Sequence, residues 1–203
     1  MKNKIGKIGS IINIISVLAF AICMLIPYDF GSYFVSMFIA LSFIMMIGSF
    51  ESECNEDNKV AGKIASMLAS IYVTLILIVY FTQCTTVINE TLNSQATKIL
   101  DYRYMGFLFN LDLLGYGIMA LSTFFIGLTI NSKNKMDKWL KILLIIHGIF
   151  FISCFIMPMT GMFVNSNGST SIGGVIALEL WCLYFIQIGI LSYLHFKNNK
   201  SLK

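Results

Sequence analysis

Six long apolar stretches, separated by short polar joints, organise the chain. They run approximately from Ile8 to Ile26, Tyr33 to Phe50, Ile64 to Phe81, Gly106 to Ile130, Leu140 to Phe163 and Gly173 to His195. About 20 largely apolar residues in helical conformation cross a hydrocarbon core about 30 Å thick. Each stretch is about that long and lacks the alternation of polarity that marks the strands of a membrane barrel. Lipid offers no partner to backbone N–H and C=O groups, so each stretch predicts a helix, which pairs those groups internally. The pattern predicts an all-α polytopic transmembrane helix bundle of six spans, forming a single domain over residues 1–203.

The joints support this division. Pro27, Tyr28, Asp29 and Gly31 end the first stretch at a tight turn. Glu51 to Lys59 is a short acidic loop, Asn131 to Lys138 a basic one, and Asn165 to Ser171 an uncharged loop of Asn, Gly and Ser. The longest joint, Thr85 to Tyr104, repeats Val87, Ile88, Leu92, Ala96, Ile99 and Leu100 at helical spacing. Glu90, Asn93, Lys98 and Asp101 lie between them. This spacing predicts an amphipathic connector lying on the membrane surface, either a lid over a cavity or a packed link.

Composition agrees with burial in lipid. Hydrophobic residues make up 57% of the 203, charged residues only 12%, and the mean hydropathy is +0.80; a water-soluble domain carries about 25% charged residues. The net charge of +4 is unevenly placed. Lys2, Lys4 and Lys7, Lys59 and Lys63, Lys133, Lys135, Lys138 and Lys141, and Lys197, Lys200 and Lys203 fall on one side of a six-span topology. Lys98 and Arg103 fall on the other. Cytoplasmic loops hold the basic excess, so both termini are expected in the cytoplasm of a multi-pass cell-membrane protein. The bias towards Lys, Ile and Asn suggests a bacterial coding sequence. No basic patch interleaved with aromatics points to nucleic acid.

The N-terminus imitates a signal peptide, with basic residues, an apolar run and Ala19-Phe20-Ala21. The run continues to Ile26, which favours a retained first span. Asn89-Glu90-Thr91, Asn167-Gly168-Ser169 and Asn199-Lys200-Ser201 match the glycosylation pattern, as chance allows in an Asn-rich chain. The cysteines Cys23, Cys54, Cys84, Cys154 and Cys182 form no CxxC pair, so no zinc or redox motif is indicated. No cofactor or metal is expected.

Ionisable groups inside a membrane are costly and mark the places where chemistry is sought. All but two of the ten acidic residues fall in joints or at span edges; the exceptions are Asp112 and Glu179. With both helices starting on the outer side, each carboxylate lies about 8–10 Å below its helix start. Gln83 and Tyr80 end the third span near that depth, Asn110 adds a polar group, and Tyr116 lies one turn below Asp112. These residues are expected either to line an outer cavity or to fix helix packing through hydrogen bonds. His147, in the fifth span, is a packing residue or a proton relay with Asn13 as its one visible partner. His195 is expected at the inner interface. Ser122 and Thr123 are expected to bond their own helix backbone. Ala61, Ala65 and Ala69, and Gly173, Gly174 and Ala177, mark faces for close helix contact.

Tyr80-Phe81-Thr82-Gln83, Leu111-Asp112-Leu113-Leu114-Gly115-Tyr116-Gly117, Met119-Ala120-Leu121-Ser122-Thr123 and Lys138-Trp139-Leu140 follow one another in an order that resembles uncharacterised bacterial multispan integral membrane proteins. The resemblance spans the middle half of the chain, implies no activity, and draws attention to Gln83 and Asp112.

These residues favour binding or translocation of a small cationic or protonatable solute, with the bilayer as environment and a homo-oligomer left open. The alternative is a non-catalytic accessory, sensory or immunity protein with structural carboxylates. An intramembrane lipid-acting enzyme ranks third, because no nucleophile elbow, metal-binding helix or phosphate loop is present.

Overall fold

A computed structural model describes residues 2–132, 134–161 and 172–198. The Asn165 to Ser171 loop, the end of the fifth apolar stretch, Lys133, and the Asn167 and Asn199 acceptor matches lie outside the described residues.

Every apolar stretch forms helix, and no described residue lies in a strand. In chain order the helices are α1 (Lys2–Leu25), α2 (Asp29–Glu51), α3 (Lys59–Thr82), α4 (Ser94–Leu100), α5 (Phe107–Thr129), α6 (Lys135–His147), α7 (Phe150–Met159) and α8 (Ile172–Asn198). Six helical units are long and apolar enough to cross a membrane: α1, α2, α3 with the π-helical turn Gln83–Val87 that extends it, α5, α6 with α7, and α8. The helices outrun the apolar stretches at their polar ends. Lys59 and Lys135 open α3 and α6, where long basic side chains reach past the hydrocarbon to water.

The spans form a closed ring. α1 packs on α2, α2 on α3, α3 on α5, α5 on α6 and α7, α6 on α8, and α8 back on α1. The first residues of α1 therefore meet the last turns of α8: a Cβ on Gly6 would lie 2.6 Å from the ring of Phe196. One end of the ring carries this junction (the terminal end); the other carries α4 (the connector end). The axis of the ring is aromatic. Phe43 meets Tyr72 edge-on at 5.3 Å, Tyr72 meets Tyr116 at 5.7 Å, Tyr116 meets Trp181 at 5.6 Å, and Trp181 stacks on Phe185 at 5.0 Å. Such pairs add packing beyond the area they bury. Large apolar residues such as Ile15, Met67, Leu180 and Leu183 are exposed on the outside, as a lipid-facing surface requires.

Two sequence expectations change. Ala65 and Ala69 are fully buried, as the small-residue face of α3 predicts, but Gly173 and Ala177 are exposed, and a Cβ on Gly173 would meet nothing within 4 Å. Among the described residues, no neighbour uses the smallness of those two positions. The fifth span is not one helix. It breaks after His147, where Gly148, Ile149, Phe151 and Ile152 donate to carbonyls three residues back rather than four, the tighter turn that marks a kink. The break lies against α5. A Cβ on Gly148 would come within 2.7 Å of the Phe124 Cβ, and one on Gly127 within 2.9 Å of Ile145 and 3.1 Å of its backbone nitrogen.

The α5–α6 seam therefore admits no side chain at Gly127. Gly127→Val is expected to destabilise the bundle by about 1–3 kcal/mol, the range for overpacking, and to lower its melting temperature in detergent micelles. A melting curve equal to that of the parent would show that the seam is not closed at this position.

Candidate functional site

The connector end is built from α2, α3, α5 and the connector itself. Asn93 starts α4 by accepting from the Ala96 N–H through Oδ1 (2.8 Å), as a helix cap does. Asp101 then accepts from the Arg103 N–H (2.9 Å) and from its guanidinium (2.8–3.2 Å). This turns the chain through the 3-10 turn Tyr102–Tyr104 and into α5. The amphipathic segment is shorter than the spacing predicts, because the π-helical turn and a run of turn residues take up its first half.

Gln83 holds this connector by its backbone. Its Nε2 donates to the Leu100 carbonyl (2.8 Å), and its Oε1 accepts from the Tyr102 N–H (3.0 Å). Both faces of the Gln83 amide are thus committed to positioning, and Gln83 is buried at 3% exposure. The result is to aim Tyr102 inward, where its hydroxyl donates to Asp112 Oδ2 at 2.9 Å. Burial, with the Asp112 carboxylate beside it, keeps the Tyr102 hydroxyl well above its ordinary pKa, so it remains a donor.

Asp112 is buried at 2% exposure, and no lysine, arginine or histidine pairs with it among the described residues. The Tyr80 hydroxyl also faces it. Tyr33 stacks on Tyr80 at 5.7 Å and lies 5.7 Å from Tyr102, while Tyr102 meets Phe109 at 5.1 Å. Below, Tyr116 and Tyr72 close the group. Two polar atoms here are fully enclosed and have no hydrogen-bond partner among the described residues: Asp112 Oδ1 and the Tyr72 hydroxyl. Buried polar atoms are ordinarily satisfied, and two orphans in one tyrosine-walled cluster mark a place with hydrogen-bonding capacity to spare.

Of the residues singled out in the sequence, Asp112, Gln83, Tyr80 and Tyr116 belong to this group. Asn110 does not: it is exposed on the opposite face of α5. Among the described residues, no hydrogen bond joins Glu179 to this group. Glu179 lies half-buried on α8 with its Oε1 enclosed and without a partner among those residues. Tyr102 and Tyr33 are the members that sequence reasoning missed. The connector's length left its contacts open, and Tyr33 reads as an interfacial anchor at a span end.

The relay partner expected for His147 is not beside it. Asn13 lies elsewhere, donating to Ser42 Oγ at 3.0 Å. The partners of His147 are Thr123 Oγ1 at 2.8 Å from Nδ1, and the Trp181 indole, which donates to Nε2 at 3.1 Å. Indole N–H is only a donor, so Nε2 is unprotonated and the ring is neutral with its proton on Nδ1. That proton goes to Thr123, whose hydroxyl donates to the Ala120 carbonyl (2.7 Å). Every polar atom of the imidazole is used, and His147 acts as a tie between α5, α6 and α8 at the helix break. Ser122 also departs from expectation, donating to the Ala65 carbonyl of α3 (2.8 Å) rather than to its own helix. The groove beside the break is lined by Leu121, Phe124, Ile145, Ile149 and other apolar residues and adds no polar ligand.

A second ionisable group lies at the terminal end. His195 Nδ1 is 2.8 Å from Asp137 Oδ1, and its Nε2 is 2.9 Å from Glu53 Oε2. The carboxylates sit on opposite edges of the ring and do not converge on a common point. Among the described residues no cluster of His, Cys, Asp or Glu has the arrangement to hold a metal ion. Residues 53, 137 and 195 are too far apart in sequence to form a motif. The topology alone brings them to one end.

Gln83→Ala removes both clamps on the connector, worth together about 1–3 kcal/mol. Trypsin is expected to cut after Lys98 and Arg103 faster in the variant than in the parent, as followed by mass spectrometry in nanodiscs. Equal cleavage rates would show that the connector is held by other means. No protein family, curated protein or solved structure matches this chain, so the reading of the site rests on its own geometry.

Proposed function

We propose that this six-span membrane protein binds a small cationic or protonatable solute at Asp112, with the connector as the cover of the site. The observation that carries the reading is a carboxyl at 2% exposure with an unpaired oxygen and no basic partner among the described residues. A carboxylate buried this way is too costly to stay charged alone; it takes up a proton or a cation. Tyrosine suits either occupant. The hydroxyl of Tyr102 bonds the carboxyl, that of Tyr80 lies beside it, and the ring faces of Tyr33, Tyr80 and Tyr116 attract positive charge. Gln83 is then a positioning residue, because its amide is spent on the connector backbone.

The orientation belongs to the same proposal. Lysines cluster at the terminal end, which favours cytoplasmic termini and a site on the outer side of a cell membrane, beneath the connector, in keeping with the resemblance to bacterial multispan proteins. The competing accessory reading is favoured at His147 and Gln83, whose polar atoms are fully occupied in tying segments together. It leaves the orphan oxygen of Asp112 unexplained.

Infrared difference spectroscopy on protein in nanodiscs tests the reading. A protonated Asp112 is expected to give a carboxylic-acid C=O band that Asp112→Asn lacks. Sodium, potassium, ammonium and tetramethylammonium ions, added in turn, or a rise in pH, should remove that band saturably. A band that none of these ions and no pH change alters would rule out solute binding at Asp112.

A further inference from the structure

The group at the terminal end has no place in the reading of Asp112. His195 lies in the last turns of α8, Glu53 in the loop between α2 and α3, and Asp137 in the first turn of α6. An ionised carboxylate only accepts hydrogen bonds, and a neutral imidazole has one N–H to give. With a carboxylate oxygen 2.8 Å from one ring nitrogen and 2.9 Å from the other, both nitrogens must carry protons. The geometry is that of an imidazolium bridging two carboxylates. Phe50 and Phe196 pack on the ring at 5.3 and 5.5 Å, shielding the charged bonds from water.

The two arms differ. Asp137 is buried at 4% exposure and is held besides by Asn134, which donates to Oδ2 (2.9 Å) and caps α6 by accepting from the Asp137 N–H (2.9 Å). The Glu53 side chain is 20% exposed and sits in a loop. The far half of that loop is fixed separately, by Asn58 donating to the Thr129 carbonyl at 3.2 Å. Among the described residues, the titratable groups bonded to His195 are Glu53 from the loop and Asp137 from α6. From α1 it is Gly6 that reaches the neighbouring Phe196, with Lys4 and Lys7 on the adjoining turn, and α8 itself adds Lys197.

We propose that Glu53, His195 and Asp137 form a pH-operated clasp that ties the α2–α3 loop and α6 to the end of α8 while His195 is protonated, and releases the Glu53 arm when it is not. The sign follows from the proton count. Below the titration of His195 both arms are donated to, and the clasp is closed. As pH rises through it, one N–H is lost and a ring lone pair faces a carboxylate. Asp137 keeps the remaining proton because it is buried and braced, and Glu53 turns to water. The clasp therefore loosens with rising pH, and residues 51–54 are the part that moves.

Cys54 reports on this directly. It follows Glu53, its thiol lies 3.7 Å from the Phe50 carbonyl, and it packs where a Cβ on Gly62 would sit. In protein carrying Cys54 alone, with Cys23, Cys84, Cys154 and Cys182 changed to Ala, the rate of maleimide labelling in nanodiscs is measured from about pH 6 to about pH 9, spanning the ordinary range of histidine titration. Each rate is divided by that of a fully exposed thiol peptide, with the Cys54 thiol titration measured separately. The corrected rate is expected to rise about tenfold, the size set by one charge-assisted hydrogen bond. Glu53→Gln should keep the rate low throughout, because an amide N–H can donate to neutral Nε2. His195→Gln should give a rate that no longer depends on pH. A flat corrected rate in the parent, or the same rise in Glu53→Gln as in the parent, would overturn the proposal.

Discussion

A polar group inside a lipid-embedded bundle has no water to turn to, and the whole arrangement of this protein follows from where such groups find partners. Ser122 of α5 reaches the Ala65 carbonyl of α3, Asn13 of α1 reaches Ser42 of α2, and Tyr184 of α8 donates to the Leu143 carbonyl of α6 at 2.5 Å. His147 collects Thr123 and Trp181 at the point where the fifth span breaks. These bonds fall on the inner faces of the helices, so the apolar outer faces are left to the lipid. Packing through small residues does the rest: Gly127 and Gly148 let α5 and α6 touch along a seam that any side chain would open.

Three polar levels lie along the ring. At the connector end Asp112 is surrounded by tyrosines, in the middle His147 is neutral and fully bonded, and at the terminal end His195 bridges two carboxylates. The same residue type thus has opposite chemistry at two depths. His147 meets a hydroxyl and an indole N–H, which a neutral ring satisfies. His195 meets two acceptors, which only a charged ring satisfies. Asp112 differs from both in keeping an oxygen unspent. Its depth is set by α5, but its cover is set by Gln83, which fixes the connector from a different helix.

Much of this was legible in the sequence because membrane spans are long and uniform in composition. The six stretches and their order follow from hydropathy, and the cost of intramembrane charge singles out Asp112. What hydropathy does not carry is rotation about each helix axis. Asn110 is two residues from Asp112, which on a helix is the opposite side, and only packing against α3 decides which of them faces inward. Glu179 is expected at the depth of Asp112 from its distance along the helix, but it is only half-buried on α8. The break after His147 was hidden, since Gly148 in an apolar run reads as a packing glycine as readily as a kink. The bridge from Glu53 to Asp137 through His195 joins three joints that no periodicity links, and only closure of the helix ring brings them together.

The central claim is that the Asp112 carboxyl is kept for a bound proton or cation and not for holding the bundle together. The melting temperature of Asp112→Asn in nanodiscs tests this most directly. Asn matches the shape of Asp and still accepts from Tyr102, while removing the group that takes up a proton or cation. The account predicts a melting temperature equal to or above that of the parent, as expected when a costly functional group is neutralised. A clear fall would contradict it and make Asp112 a structural residue.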